Sequence, residues 1–145
     1  MSRDDRHRPR AVPRSFLALP IVLALVAMSG DVPDSRRVAD RFLALFYDDD
    51  VGRVREAAQL STGSAKSRVE ADIKFMDGAV PPEGADRLDP TSQLLYQRST
   101  PTEATYMYRV HLRPSETGQL FVRLVLVQEG GRWVVSRFDE KERNS

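Results

Sequence analysis

A chain of 145 residues without cysteine is long enough for one buried core; it excludes disulfides, thiolate metal sites, a cysteine nucleophile and a lipid-modified cysteine at an export boundary. Its formal charge of +1 is unevenly placed: residues 1–29 hold five arginines against two aspartates, leaving 17 basic and 19 acidic residues, a sum of −2, in residues 30–145. A domain that is mildly acidic as a whole gives no support for nucleic-acid binding, which needs a basic stripe on the domain itself.

Residues 1–14 are arginine-rich, and residues 15–30 carry no charge. The strongly apolar part, Phe16–Met28, is shorter than the ~20 residues of a usual spanning helix. A basic head, an apolar middle and a small-residue exit describe a secretory signal peptide. Ala27 and Ser29 fit the positions before a cut at Gly30. The competing reading is an uncleaved anchor, with residues 15–30 left in the membrane and the arginines on the cytoplasmic side. Either way the expected organisation is a targeting segment over 1–29 and one extracytoplasmic domain over 30–145, secreted, periplasmic or tethered.

Asp34 or Ser35 is placed to cap a first helix, in which Val38, Phe42, Leu45 and Phe46 fall on one face. Arg36, Arg37, Asp40 and Arg41 lie largely away from that face. The helix should fail near Asp48-Asp49-Asp50, where like charges repel. Those aspartates suit the start of a second helix, from about Val51 to Leu60, with Asp49 or Asp50 as its cap. A third helical pattern runs from Ala65 to Met76 on Val69, Ile73 and Met76, with Lys66, Glu70 and Lys74 spaced to pair along its surface. Gly78–Pro90, with three prolines and two glycines, reads as a loop inside one domain.

The remainder reads as strands. A first strand is expected around Leu94–Arg98. In Thr102–Leu112 one alternation holds Ala104, Tyr106, Tyr108, Val110 and Leu112, and the other Thr105, Met107, Arg109 and His111. In Gln119–Gln128 both alternations are apolar, so that strand should be central and covered on both sides. Glu129-Gly130-Gly131 makes a tight hairpin into Arg132–Phe138. Asp139–Ser145 reads as a frayed, charged tail. Helices followed by strands make an α+β domain: N-terminal helices on an antiparallel sheet of about four strands.

Two stretches resemble the nuclear transport factor 2-like superfamily. Ala39–Asp50 leading into Val51–Leu60 is similar to its opening, an amphipathic helix ending in an aromatic and acidic stretch before a shorter helix. Gly130-Gly131-Arg132-Trp133-Val134-Val135-Ser136-Arg137-Phe138 is similar to its closing strand. The resemblance spans about Ser35–Phe138. It implies a cone in which a curved sheet wraps a long helix and leaves a pocket at the wide end. The superfamily includes isomerases, dehydratases and epoxide hydrolases as well as many non-catalytic binding domains, so fold alone does not choose a function.

The expected ligand pocket is lined by Tyr106, Tyr108, Phe42 and Phe46. An isomerase would need a carboxylate base beside those phenols, and the strands from Ala104 to Val127 contain no aspartate or glutamate. Asp72 and Asp77, near the third helix, are more simply solvated. His111 lacks an in-strand acid and reads as a surface residue. Asp48–Asp50 lack calcium-loop spacing, and Gly130-Gly131 opens no helix that could cradle a phosphate. No catalytic residue, metal ligand or cofactor is assigned. The second sheet face should carry Met107, Phe121, Val125 and Val127, with Trp133 and Val135 or else Val134 and Phe138, an apolar surface to be covered by a partner or, alternatively, by the Gly78–Pro90 loop or the N-terminal arm folding over it. Met107, Phe121, Val125, Val127 and Trp133 are therefore the interface candidates, and the expected partner is a second copy or another exported or envelope protein. The function expected is a non-catalytic, exported or tethered domain binding a protein or a small apolar ligand. The alternatives are a small isomerase or dehydratase using a pocket tyrosine, and a tethered subunit of an envelope complex.

Cleavage and anchoring differ in mass. Mass spectrometry of the protein recovered from outside the cytoplasm should find Gly30 at the N terminus, and an intact Met1 or Ser2 end would instead establish the anchor.

Overall fold

The computed structural model describes residues 32–80, 87–113 and 118–143. The expected signal peptide or anchor over 1–29 lies outside them. The elements run α1 (Asp34–Phe46), α2 (Val51–Gln59), α3 (Gly63–Gly78), β1 (Thr91–Ser99), β2 (Glu103–His111), β3 (Gln119–Glu129) and β4 (Arg132–Arg143). The strands form one antiparallel meander in the order β1-β2-β3-β4. The three helices pack on a single face of this curved sheet.

Helix α1 forms where the apolar spacing places it and buries Ala39, Phe42, Leu43, Leu45 and Phe46. Its cap differs from expectation. Pro33 occupies the cap position without a side-chain bond, and Asp34 and Ser35 lie inside the helix. Ser35 is turned inward instead, where it is buried. The aspartate cluster behaves as anticipated: the Asp50 side chain accepts from the Gly52 N–H at 2.7 Å and caps α2. Asp48 accepts from the Asp50 N–H and pairs with Arg53, and Asp49 accepts from the Leu88 N–H at 2.7 Å. Helix α3 runs two residues further at each end than its apolar pattern, which buries Ala65 and Val69 and half-buries Ile73 and Met76.

On the sheet, Ala104, Tyr106, Tyr108 and Val110 of β2 and Val122, Leu124 and Leu126 of β3 point to the helices. In β4 the strict alternation breaks. Val135 faces Leu126 but Arg137 faces Val125, so Ser136 is an extra residue and the strand is bulged there. The bulge puts both Val135 and Phe138 on the helix side, where simple alternation allowed only one of them. It is held from outside as well. Val135 donates to the Leu60 carbonyl and its own carbonyl accepts from Thr62, both at 2.8 Å, so the α2–α3 junction bonds to β4 beside Ser61. Gly63, at φ +54°, lets α3 start there, a backbone that side-chain-bearing residues rarely adopt.

One expectation fails on the sheet. Asp139–Arg143 is not a frayed tail: it continues β4, opposite Arg123 to Gln119. Strand β3 is 11 residues long, and its backbone groups need a partner along that length. Strand β3 is central, as expected; among the described residues no element lies over its second face, where Phe121, Val125 and Val127 are half-buried.

Candidate functional site

The four expected pocket residues lie buried in one cluster. Phe42 and Phe46 stack with centroids 5.8 Å apart, and Phe138 meets both edge-on at 5.6 and 4.7 Å. Tyr106 and Tyr108 sit side by side at 6.4 Å, each about 1% exposed. These rings are core, and their van der Waals contacts with α1 hold the helix on the sheet.

Each phenol is engaged. The Tyr106 hydroxyl lies 2.6 Å from the Ser35 hydroxyl, with both groups buried. The Tyr108 hydroxyl donates to Asp40 Oδ1 at 2.8 Å, and Arg36 Nε donates to the same carboxylate at 2.8 and 3.0 Å while its guanidinium lies over the Tyr108 ring. So a carboxylate does stand beside a core tyrosine. It comes from α1, not from a strand, so the strand sequences do not show it. Asp40 is one α-helical turn past Arg36, on the border between the polar and apolar stripes. Burial, with the Asp40 bond next, pushes the Tyr108 phenol well above its ordinary pKa. It remains a neutral donor, and the carboxylate it meets is already held by an arginine.

A second cluster was not anticipated. Tyr47 donates to Glu140 of β4, and Arg68 of α3 reaches the same carboxylate at 2.7 Å. Arg68 also approaches Asp72 at 3.6 Å and the Phe138 ring at 5.8 Å. Burial first, then the Glu140 charge, raises the Tyr47 phenol. Glu140 belongs to the segment expected to fray, so no pairing for it could be read from the sequence. Asp77 pairs with Arg55 at 2.9 Å. These contacts join α1, α2, α3 and β4, and they are positioning contacts.

The interface candidates divide. Met107, Phe121, Val125 and Val127 share the face away from the helices, with Met107 37% exposed. Tyr96, whose β1 register puts it beside Met107 after a bulge at Leu95, joins them at 48% exposed. Trp133 does not: it packs against the helix-side core and lines a crevice of about 310 Å³ with Val38 and Leu60. The bulge at Ser136 is the cause, because it reverses the parity of β4 between Arg137 and Trp133. Two further grooves lie on the outer face. One, of about 410 Å³, is lined by Met107, Phe121, Lys141 and Arg143. The other, of about 240 Å³, is lined by Tyr96, Arg98, Thr105, Met107 and Arg123. His111 is on this face too, half-buried at its β1 end. Among the described residues no group of three or more histidine, aspartate or glutamate side chains is placed to hold a metal ion. No described helix is long and apolar enough to cross a membrane.

No family model matches the chain, and no curated protein matches its sequence. Solved structures match its fold. A protein assigned as a calcium/calmodulin-dependent protein kinase type II association domain, from Thiobacillus denitrificans, is similar with a TM-score of 0.58 at 14% identity, over 77% of this chain and 97% of that one. A nuclear transport factor 2-like protein of unknown function from Shewanella baltica gives 0.53 at 10% identity, over 77% and 93%. Another from Silicibacter pomeroyi gives 0.50 at 11%, over 76% and 93%. The chain has the nuclear transport factor 2-like fold, as the two sequence stretches implied. At these identities the likeness is one of fold.

Tyr106→Phe should cost about 1–2 kcal/mol in urea unfolding, because it strands a buried Ser35 hydroxyl. Adding Ser35→Ala should recover part of that loss, and full wild-type stability in Tyr106→Phe alone would show that the bond contributes nothing. Both raised phenols set a pH dependence. Unfolded tyrosine ionises at about 10, and Tyr47 and Tyr108 resist ionisation when folded, so their contribution is complete below that pH and is lost above it. The urea midpoint should hold steady from neutral pH to about 9 and fall beyond about 10. The double variant Tyr47→Phe/Tyr108→Phe should flatten that fall, and an equally steep fall without both phenols would contradict the assignment.

Proposed function

We propose that this protein is a non-catalytic binding domain, exported or tethered by residues 15–30, that works through the outer face of its sheet on another protein. The observation that carries the reading is the contrast between the two faces. The helix side is closed by aromatic packing and by phenols already bonded to Ser35, Asp40 and Glu140. The outer side presents Tyr96, Met107, Phe121, Val125 and Val127, with two grooves and, among the described residues, no covering element. An apolar patch of this kind, edged by charges, is the form that protein-binding surfaces take.

A reaction of isomerase or dehydratase type would need substrate between α1 and the tyrosines. The rings there belong to the buried core, and the Tyr108–Asp40 pair is neutralised by Arg36. A tethered subunit of an envelope complex would use the same outer surface, so it is a special case of the binding reading.

A photo-crosslinking residue placed at Phe121 or Val125, in cells of the source organism, should yield a higher-mass adduct. The same residue at Lys66, exposed on α3, should not. Val125→Asp should lower the Phe121 adduct at least roughly tenfold, the factor that about 1.4 kcal/mol represents. No adduct at either sheet position would end the proposal.

A further inference from the structure

The outer face has a second property that the composition hides. Its register rows read Gln93–Arg109–Phe121–Lys141, Tyr96–Met107–Arg123–Asp139 and Arg98–Thr105–Val125–Arg137, with Gln119–Arg143 at the end. Seven cations, Arg98, Arg109, Arg123, Arg132, Arg137, Lys141 and Arg143, therefore share one surface with three carboxylates among the described residues, Glu103, Glu129 and Asp139. Yet residues 30–145 sum to −2. The acids are gathered on the helix side, where Arg36, Arg37, Arg41, Arg53, Arg55 and Arg68 each have a carboxylate partner. On the outer face Asp139 is taken by Arg137 at 2.9 Å. Among the described residues Arg98, Arg109, Arg123, Lys141 and Arg143 have no acid within ion-pairing distance. Arg109 goes further. Its guanidinium lies 5.8 Å over the Phe121 ring, and its Nε is buried without a hydrogen-bond acceptor. An unpaired buried donor of a cation is costly and asks for an anionic acceptor.

We propose that the partner of this face is an acidic polypeptide segment, in which carboxylates alternate with aromatic or aliphatic side chains. The inference rests on the binding reading above and specifies its partner. Charge complementarity selects it. A second copy docked by a two-fold axis would set the same excess of cations against itself, and like charges brought together at an interface cost several kcal/mol. The chain's own residues 1–29 are equally unsuitable, with five arginines against two aspartates. A duplex or long single strand would run past the basic face onto the acidic remainder of the domain. A lipid surface is flat, whereas the two grooves meeting at Met107 offer concave, apolar-walled seats with guanidinium or ammonium groups at their rims. Side chains of an alternating segment fit that pattern: rings or aliphatics into the grooves, carboxylates onto the arginine forks.

The probe is the random glutamate–tyrosine copolymer, fluorescently labelled and titrated with the full chain by anisotropy. Lysine–tyrosine copolymer, a single-stranded DNA oligonucleotide and equal-part phosphatidylglycerol–phosphatidylcholine vesicles are run beside it. The expected result is saturable binding of the acidic copolymer alone, weakening with added salt. Arg123→Gln combined with Lys141→Glu should weaken it roughly tenfold or more. Both side chains are exposed, so an unchanged melting curve checks folding, and Arg98→Glu supplies an independent variant. Absence of copolymer binding, or binding indifferent to these variants, overturns the proposal. Equal or tighter binding of DNA or vesicles overturns it in favour of that polyanion, and self-association lost in Arg123→Gln overturns it in favour of a second copy. If crosslinks at Val125 persist while the copolymer fails to bind, the acidic partner is wrong and the binding reading stands. If the copolymer binds and crosslinks are absent, the charge chemistry stands and the binding reading fails in the cell.

Discussion

Everything in this fold depends on how α1 is fastened to the inner sheet face. Phe42, Phe46 and Phe138 supply the apolar grip, and their edge-on geometry aligns ring edges with ring faces. Three hydroxyls then fix the helix along its length. Ser35 meets Tyr106 near the start, Asp40 meets Tyr108 one and a half turns later, and Tyr47 reaches Glu140 just past the end. Hydrophobic burial is non-directional and would tolerate sliding. Hydrogen bonds at both ends and the middle do not, so helix position and rotation are set together. The interior that results has its aromatic hydroxyls committed to structure.

This arrangement explains what could be read from the sequence and what could not. The α+β order, the three helices and the helix-facing residues of β2 and β3 were legible because burial imposes a period of 3.6 or 2 on the chain. The Asp50 cap was legible because capping is local. The failures share a different origin. Ser35 reads as a cap and Asp40 as a surface acid unless one knows which tyrosines lie opposite. Asp139–Arg143 looks polar enough to fray, and only the length of β3 shows that it must pair. The placement of Trp133, Val135 and Phe138 turned on one inserted residue, Ser136. Nothing in an alternating run announces a bulge when its cause is a bond from Leu60 and Thr62, more than seventy residues upstream. Of the candidate site, the apolar members of the outer face were visible as a second alternation. Its charge was not, because a sum over residues 30–145 averages over the two faces.

That averaging has a physical meaning. Acids and bases on the helix side neutralise each other across short distances, and their field fades within a few ångströms of the surface. Cations left unpaired on one face add instead, and shape the potential that an approaching molecule meets first. The same primary structure thus yields a stable, nearly neutral helical layer and a polarised sheet surface. A sheet face is well suited to this, since adjacent strands set alternate side chains within about 5 Å of one another, a spacing that suits an extended partner.

The contact of β4 with the α2–α3 junction has one more effect. It occupies the outer margin of the last strand near Val135, while the opposite margin, β1, has no neighbour among the described residues. The meander is thus asymmetric as a template: among the described residues the Thr91–Ser99 margin pairs with nothing but β2. Even there the irregularity at Leu95 interrupts the ladder, so an incoming strand could register on at most half of that edge. A strand added there would lengthen the sheet in two short runs rather than as one continuous ladder.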